Sequence, residues 1–136
     1  MTVIDTSAFM KFFLHEDGWE EVLPHLTTAS SPETVDLLVT ESANVLWKSV
    51  RAGLIEKEQV PELFSSMELL YTKGPLALKP ALPFMAEALT IALSLDIPVY
   101  DALFIAQARS DHATLVTADR QQAFCAEKCG VTAILV

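Results

Sequence analysis

Three short apolar runs in this chain each end near a carboxylate and lead into a segment with helical spacing. That layout limits the possible folds more than any other feature. Thr2-Val3-Ile4 is followed by Asp5, residues 97–100 by Asp101, and residues 113–117, after one alanine, by Asp119. Runs of this length suit strands, and the helical segments between them leave no room for hairpins. Strands that alternate with helices build an α/β domain around a mostly parallel sheet. In such a sheet ligands bind at the carboxyl ends of the strands, where these acids would gather.

The remaining segments fit the same plan. Residues 3–5 form a first strand, and Ala8, Phe9, Phe12 and Phe13 fall at helical spacing over residues 6–15. Residues 19–26 form a short amphipathic helix, 30–32 a turn and 34–36 a brief strand. A long helix follows over residues 37–52, and Gly53 closes it as a C-terminal glycine does. Residues 57–71 are helical up to Gly74-Pro75, 76–78 are a strand, and Pro83 opens a helix to residue 95. Residues 102–108 and 120–128 are helical, and 131–136 form a last strand. With 136 residues and neither repeat nor linker, a single domain over residues 1–136 is expected.

Composition narrows what such a domain can do. The net charge of −9 makes the surface as a whole repel nucleic acid, so contact with an anionic polymer needs local basic groups and bound cations. Hydrophobic residues make up 51%, yet no uncharged run reaches the roughly 18 residues of a membrane span. The apolar surplus points instead to a partner or homodimer interface. With Asp5 interrupting the first apolar residues, no secretion signal is expected, and the location expected is cytoplasmic. Cys125 and Cys129, four apart on one helix face, suit a reduced structural pair, and His15, His25 and His112 stand isolated from any zinc set.

Taken singly, Asp5, Asp101 and Asp119 are ordinary helix caps. Taken together at one sheet edge they would repel one another and raise their own pKa values unless a cation sat among them. Glu41 is a fourth candidate near the start of the 37–52 helix, with Asn44, Lys48 and Arg51 close to its face. That stripe is either a solvated face or a functional one. In the functional case Glu41 is a ligand or positions water, Asn44 supports it, and Lys48 or Arg51 contacts phosphate. Thr6, Ser7 and Thr117 are caps or orienting hydroxyls beside the acids. Phe84 and Phe104 are expected in the core and Tyr100 in the core or at its rim.

All-oxygen donors suit Mg²⁺ or Mn²⁺ rather than zinc. Such ions can activate water and stabilise the leaving oxygen of a phosphodiester, and they also bridge an acidic pocket to an anionic substrate. An aspartyl-phosphate phosphatase would want a second acid two residues after Asp5, where Ser7 stands, and a lysine beside Asp101 or Asp119, where none is found.

The chain resembles the PIN domains, and among them the short VapC-like toxins of prokaryotic toxin–antitoxin pairs. The matching segments are VIDTSAF (Val3–Phe9), TESANVLWK (Thr40–Lys48), VYDALFIAQA (Val99–Ala108) and LVTADRQQA (Leu115–Ala123). The resemblance implies a three-layer α/β/α sandwich and an endoribonuclease acting on single-stranded or structured RNA. It implies a quartet of acids around Mg²⁺ (or Mn²⁺), which falls on Asp5, Glu41, Asp101 and Asp119. Asp5 and Asp101 would bind the principal ion, while Glu41 and Asp119 complete the pocket. It further implies a homodimer, and an antitoxin contacting residues 37–71. The alternative is a catalytically inactive PIN-like domain that serves as a protein- or RNA-binding module.

Overall fold

Strand β1 (Thr2–Ile4) buries all three of its consecutive side chains, so both faces of the sheet around it are covered. The computed structural model describes residues 1–136. Helix α1 (Thr6–Phe13) follows, then a 3₁₀ helix, Trp19–Leu26, and strand β2 (Pro32–Val35). Helix α2 (Leu37–Arg51) and helix α3 (Val60–Thr72) lead to strand β3 (Ala77–Lys79). Helix α4 (Met85–Leu95) and helix α5 (Val99–Ser110) precede strand β4 (Thr114–Thr117), helix α6 (Arg120–Lys128) and strand β5 (Ala133–Leu135). The sheet is parallel throughout, in the order β3-β2-β1-β4-β5, the middle layer of an α/β/α sandwich.

That order places a topological switch point between β1 and β4. From β1 the chain builds outward to β2 and β3, then returns to lay β4 against the other side of β1. Loops leave the carboxyl ends of these two neighbours in opposite directions and open a crevice there. Thr2, Val3 and Ile4 pair with Thr114, Leu115 and Val116, and the Asp5 N–H donates to the Val116 carbonyl at 3.2 Å.

The largest departure from expectation lies at residues 97–100. They do not form a strand. Asp96, at φ 53°, closes α4 in the left-handed conformation, and Pro98 caps the next helix, so Val99, Tyr100 and Asp101 form the first turn of α5. Two β-branched residues and a proline imitate a strand, but Ile97 is a buried corner residue with no sheet partner. Asp101 therefore comes from a helix rather than a strand end, and Tyr100 is 62% exposed. Helix α5 is buried at every position from Ala102 to Ala108, as a helix between layers must be.

Smaller differences share one cause, local backbone chemistry at element ends. Pro24 lies inside the 19–26 segment, which is 3₁₀ rather than α. Pro32 begins β2 instead of ending a turn, which makes the strand 32–35 rather than 34–36. Single 3₁₀ turns precede α3 and α4, and Pro83 sits in the second of them. Gly53, at φ 72°, follows α2 as expected.

Lys79 pairs with Glu33 at 2.7 Å and with Asp111 at 3.2 Å, and Gln107 donates to Glu33 at 3.4 Å. These contacts tie the C-terminal half of α5 to β2 and β3. No single helix is long and apolar enough to cross a membrane. Both cysteines are free thiols, and Phe84 and Phe104 are buried in the core.

Leu115 is fully buried at the centre of the sheet. Leu115→Ala should therefore cost about 3 kcal/mol in urea unfolding, the usual range for a cavity left by leucine. A loss below about 1 kcal/mol would mean that the β1–β4 region is not packed as described.

Candidate active site

Asp5 leaves β1 at the crevice and caps α1. Its Oδ1 accepts from the Ala8 N–H at 2.9 Å and from the Ser7 hydroxyl at 2.7 Å, and its Oδ2 accepts from the Thr117 hydroxyl at 2.5 Å. Each hydroxyl has one proton, so the 3.1 Å separation of the Ser7 and Thr117 oxygens is a contact without a donor of its own. Both hydroxyls serve a second role as acceptors. Ser7 receives the Ala118 N–H at 2.9 Å and Thr117 the Asp119 N–H at 3.0 Å. The loop after β4 is thereby fastened to the start of α1.

Burial governs the charge of Asp5. The carboxyl is only 4% exposed, and desolvation raises its pKa to about 6 despite the Ala8, Thr117 and Ser7 hydrogen bonds, with the nearby Asp119 adding to the rise. Three of its roughly four acceptor positions are occupied, which leaves one free to face the cleft.

Asp119 ends the loop after β4 and caps α6, its Oδ1 accepting from the Gln121 N–H at 2.8 Å and the Gln122 N–H at 3.1 Å. Glu41 projects from the second turn of α2, and the Thr6 hydroxyl donates to its Oε1 at 2.6 Å. Burial raises the Glu41 pKa, opposed by the Thr6 bond and supported by the charge of Asp101. Asp101, in the first turn of α5, is raised by burial first and then by Asp119.

All four acids line one cleft of about 940 Å³. Lys48 lines it too, with Val45, seven and four residues beyond Glu41 on the same helix face. Two of the expected neighbours do not take part. Asn44 is exposed and makes no hydrogen bond to Glu41, whose support comes from Thr6. Arg51 lies over the Trp47 ring at 5.0 Å from its centroid, away from the cleft. Three polar lining residues lie outside the expected set: Glu16 beyond α1, Arg120 at the start of α6, and Gln122. Only Arg120, adjacent to Asp119, carried a usable signal in the sequence.

The donor set fits a hard divalent ion. Carboxylate and hydroxyl oxygens line the cleft, with neither histidine nor cysteine among them. No three His, Cys, Asp or Glu side chains are arranged as a ready-made cage. An open set of this kind suits magnesium, which keeps several waters and takes one or two carboxylates. Burial first raises Asp5, Glu41 and Asp101, with Asp119 adding to Asp5 and Asp101 and Asp101 adding to Glu41, and a divalent ion would offset both causes.

Comparison with known proteins agrees with the fold. The PIN domain family model matches residues 2–127. Ribonuclease VapC3 from Pyrobaculum aerophilum is 31% identical over 121 residues, which cover 89% of this chain and 91% of that protein. Among solved structures, PAE2754 from P. aerophilum superposes with a TM-score of 0.69 at 22% identity, over 97% of this chain and 82% of that one. FitAcB from Neisseria gonorrhoeae superposes with a TM-score of 0.65 at 20% identity, covering 98% and 96%. FitAB bound to an IR36 DNA fragment gives 0.64 at 19% identity, covering 99% and 94%.

The raised acids set an unusual pH dependence of stability. A carboxyl with a folded pKa near 6 and an unfolded value near 3.8 binds its proton more tightly in the folded state. Its contribution is greatest below about pH 4 and is lost as pH rises through 6. For Asp5 alone this loss is on the order of 2 to 3 kcal/mol. Denaturant unfolding of the metal-free protein between pH 4 and 7 should show stability falling with pH, less so in Asp5→Asn. A rise over that interval in both proteins would contradict the burial of an unneutralised Asp5.

Proposed function

Because the chain belongs to the PIN domain family, we propose that it is a metal-dependent endoribonuclease, a single PIN-like domain over residues 1–136 and the toxin of a VapBC-type toxin–antitoxin pair. The observation that carries this is the gathering of Asp5, Glu41, Asp101 and Asp119 in one cleft at the β1–β4 crevice. The 31% identity to a protein named as a ribonuclease supports the substrate class.

When bound, Mg²⁺ or Mn²⁺ would supply Lewis acidity and a lowered water pKa. Asp5 and Asp101 are the ligands proposed for the principal ion, with Glu41 and Asp119 completing the pocket directly or through water. Ser7 and Thr117 hold the Asp5 carboxylate in one orientation and help it stay ionised near neutral pH. Thr6 fixes one oxygen of Glu41 and leaves the other without a protein hydrogen bond. Lys48 and Arg120 are the two basic side chains in the cleft, the local positive charge that a −9 protein needs to receive a phosphate backbone.

A partner surface also fits this function. Trp47 and Leu54, in and after α2, are 55% and 75% exposed, and Leu69 on α3 is 55% exposed. These residues support an antitoxin contact across residues 37–71, where Arg51 braces Trp47. A homodimer and a cytoplasmic location belong to the same proposal.

The test is cleavage of single-stranded RNA by the purified protein with and without Mn²⁺. Asp5→Asn, Asp101→Asn, Asp119→Asn and Glu41→Gln should each lower the rate by roughly 10² to 10³ in folded protein, the scale of several kcal/mol of charge stabilisation. Full activity in Asp5→Asn, or in chelator, would remove the metal-dependent assignment, and folded wild type that binds RNA without cleaving it in Mn²⁺ would favour a binding module. Lys48→Ala and Arg120→Ala should raise KM with little change in kcat. Each should also make the slope of log affinity against log salt shallower by about 0.7. Unchanged slopes would place the RNA elsewhere.

A further inference from the structure

The four acids are not placed by equivalent means. Asp5 and Asp119 follow two paired strands, and Glu41 is steered by Thr6. Asp101 alone stands on a helix that no sheet ladder aligns with the crevice. The far half of α5 is anchored through Gln107 to Glu33 and through Asp111 to Lys79. At the near end one side-chain hydrogen bond reaches the first turn. The Gln122 Nε2 donates to the Asp101 carbonyl at 2.8 Å.

Gln122 touches both neighbouring acids. Its backbone N–H donates to the Asp119 carboxylate at 3.1 Å while its side-chain amide holds the turn that carries Asp101. The residue is 5% exposed, and a buried amide is tolerated only where it is hydrogen-bonded. Asp101 and Asp119 repel each other across this gap, so without the tether the first turn of α5 can relax outward. We propose that Gln122 is a positioning residue that fixes the spacing between the Asp101 and Asp119 carboxylates and thereby the affinity of the cleft for a divalent cation. This rests on the metal-nuclease function proposed above and adds a determinant outside the acid quartet.

Gln122→Met keeps the length of the side chain and the backbone cap on Asp119 while deleting the donor. Mn²⁺ binding to the folded, metal-free protein is measured by calorimetry, alongside RNA cleavage. Gln122→Met should weaken Mn²⁺ binding by about tenfold, the usual effect of losing a residue that orients a ligand. KM for RNA at saturating Mn²⁺ should stay within twofold of wild type. In wild type, the Gln122 side-chain amide protons should exchange more slowly than those of Gln121. Mn²⁺ affinity within twofold of wild type overturns the inference and leaves the nuclease function standing. So does a Gln122→Met protein that cannot fold, or a Gln122 amide that exchanges freely. Wild type that binds no Mn²⁺ removes both.

Discussion

The pairing of β1 with β4 is the contact on which the rest of the site depends. It sets Ile4 beside Val116 and so delivers Asp5 and Thr117 to the same place, where the Thr117 hydroxyl closes on the Asp5 carboxylate. That bond, with Ser7 bridging to the Ala118 N–H, welds the exits of the two strands into one unit. Helix α2 then adds Glu41 from one side and α5 adds Asp101 from another.

The electrostatic consequence follows from the same geometry. Burying Asp5 removes water that would otherwise stabilise its charge, and three hydrogen bonds recover only part of that loss. Glu41 and Asp101, nearby and half-buried, face the same penalty in weaker form. A fold that concentrates negative charge in this way is less stable with the cleft ionised than with it protonated or occupied by a cation. Under the proposed function this is the familiar opposition between stability and activity. The −9 charge of the chain sharpens it, since a bound cation would both relieve the pocket and let an anionic polymer approach.

Much of this was legible in the sequence, and the exceptions have physical causes. Asp5 and Asp119 were readable because a strand end followed by a cap is a local pattern, set by residues adjacent in the chain. Residues 97–100 read as a strand because Ile97 and Val99 are β-branched, while the left-handed Asp96 that ends α4 and Pro98 that caps α5 make them a corner between two helices. Asn44 and Arg51 were placed on the Glu41 face by helical period alone. Which side of that stripe meets the cleft follows from tertiary packing, which buries Leu38, Ser42 and Leu46 and sets Glu41 against Thr6, 35 residues away. Gln122 lies in a segment that carries the family resemblance, but nothing in the sequence marks its amide for this contact. A glutamine in a helix looks like surface until its amide is seen to meet a carbonyl 21 positions earlier in the chain.

If excess negative charge in the cleft is what calls for a cation, then metal binding must displace protons. Titrating Mn²⁺ into the metal-free protein at pH 6, in buffers of different ionisation enthalpy, measures that release directly. With the Asp5 pKa near 6 and those of Glu41 and Asp101 also raised, release of about half a proton or more per binding event is predicted, vanishing by pH 8. Mn²⁺ that binds at pH 6 without releasing protons, or does not bind at all, would contradict the account.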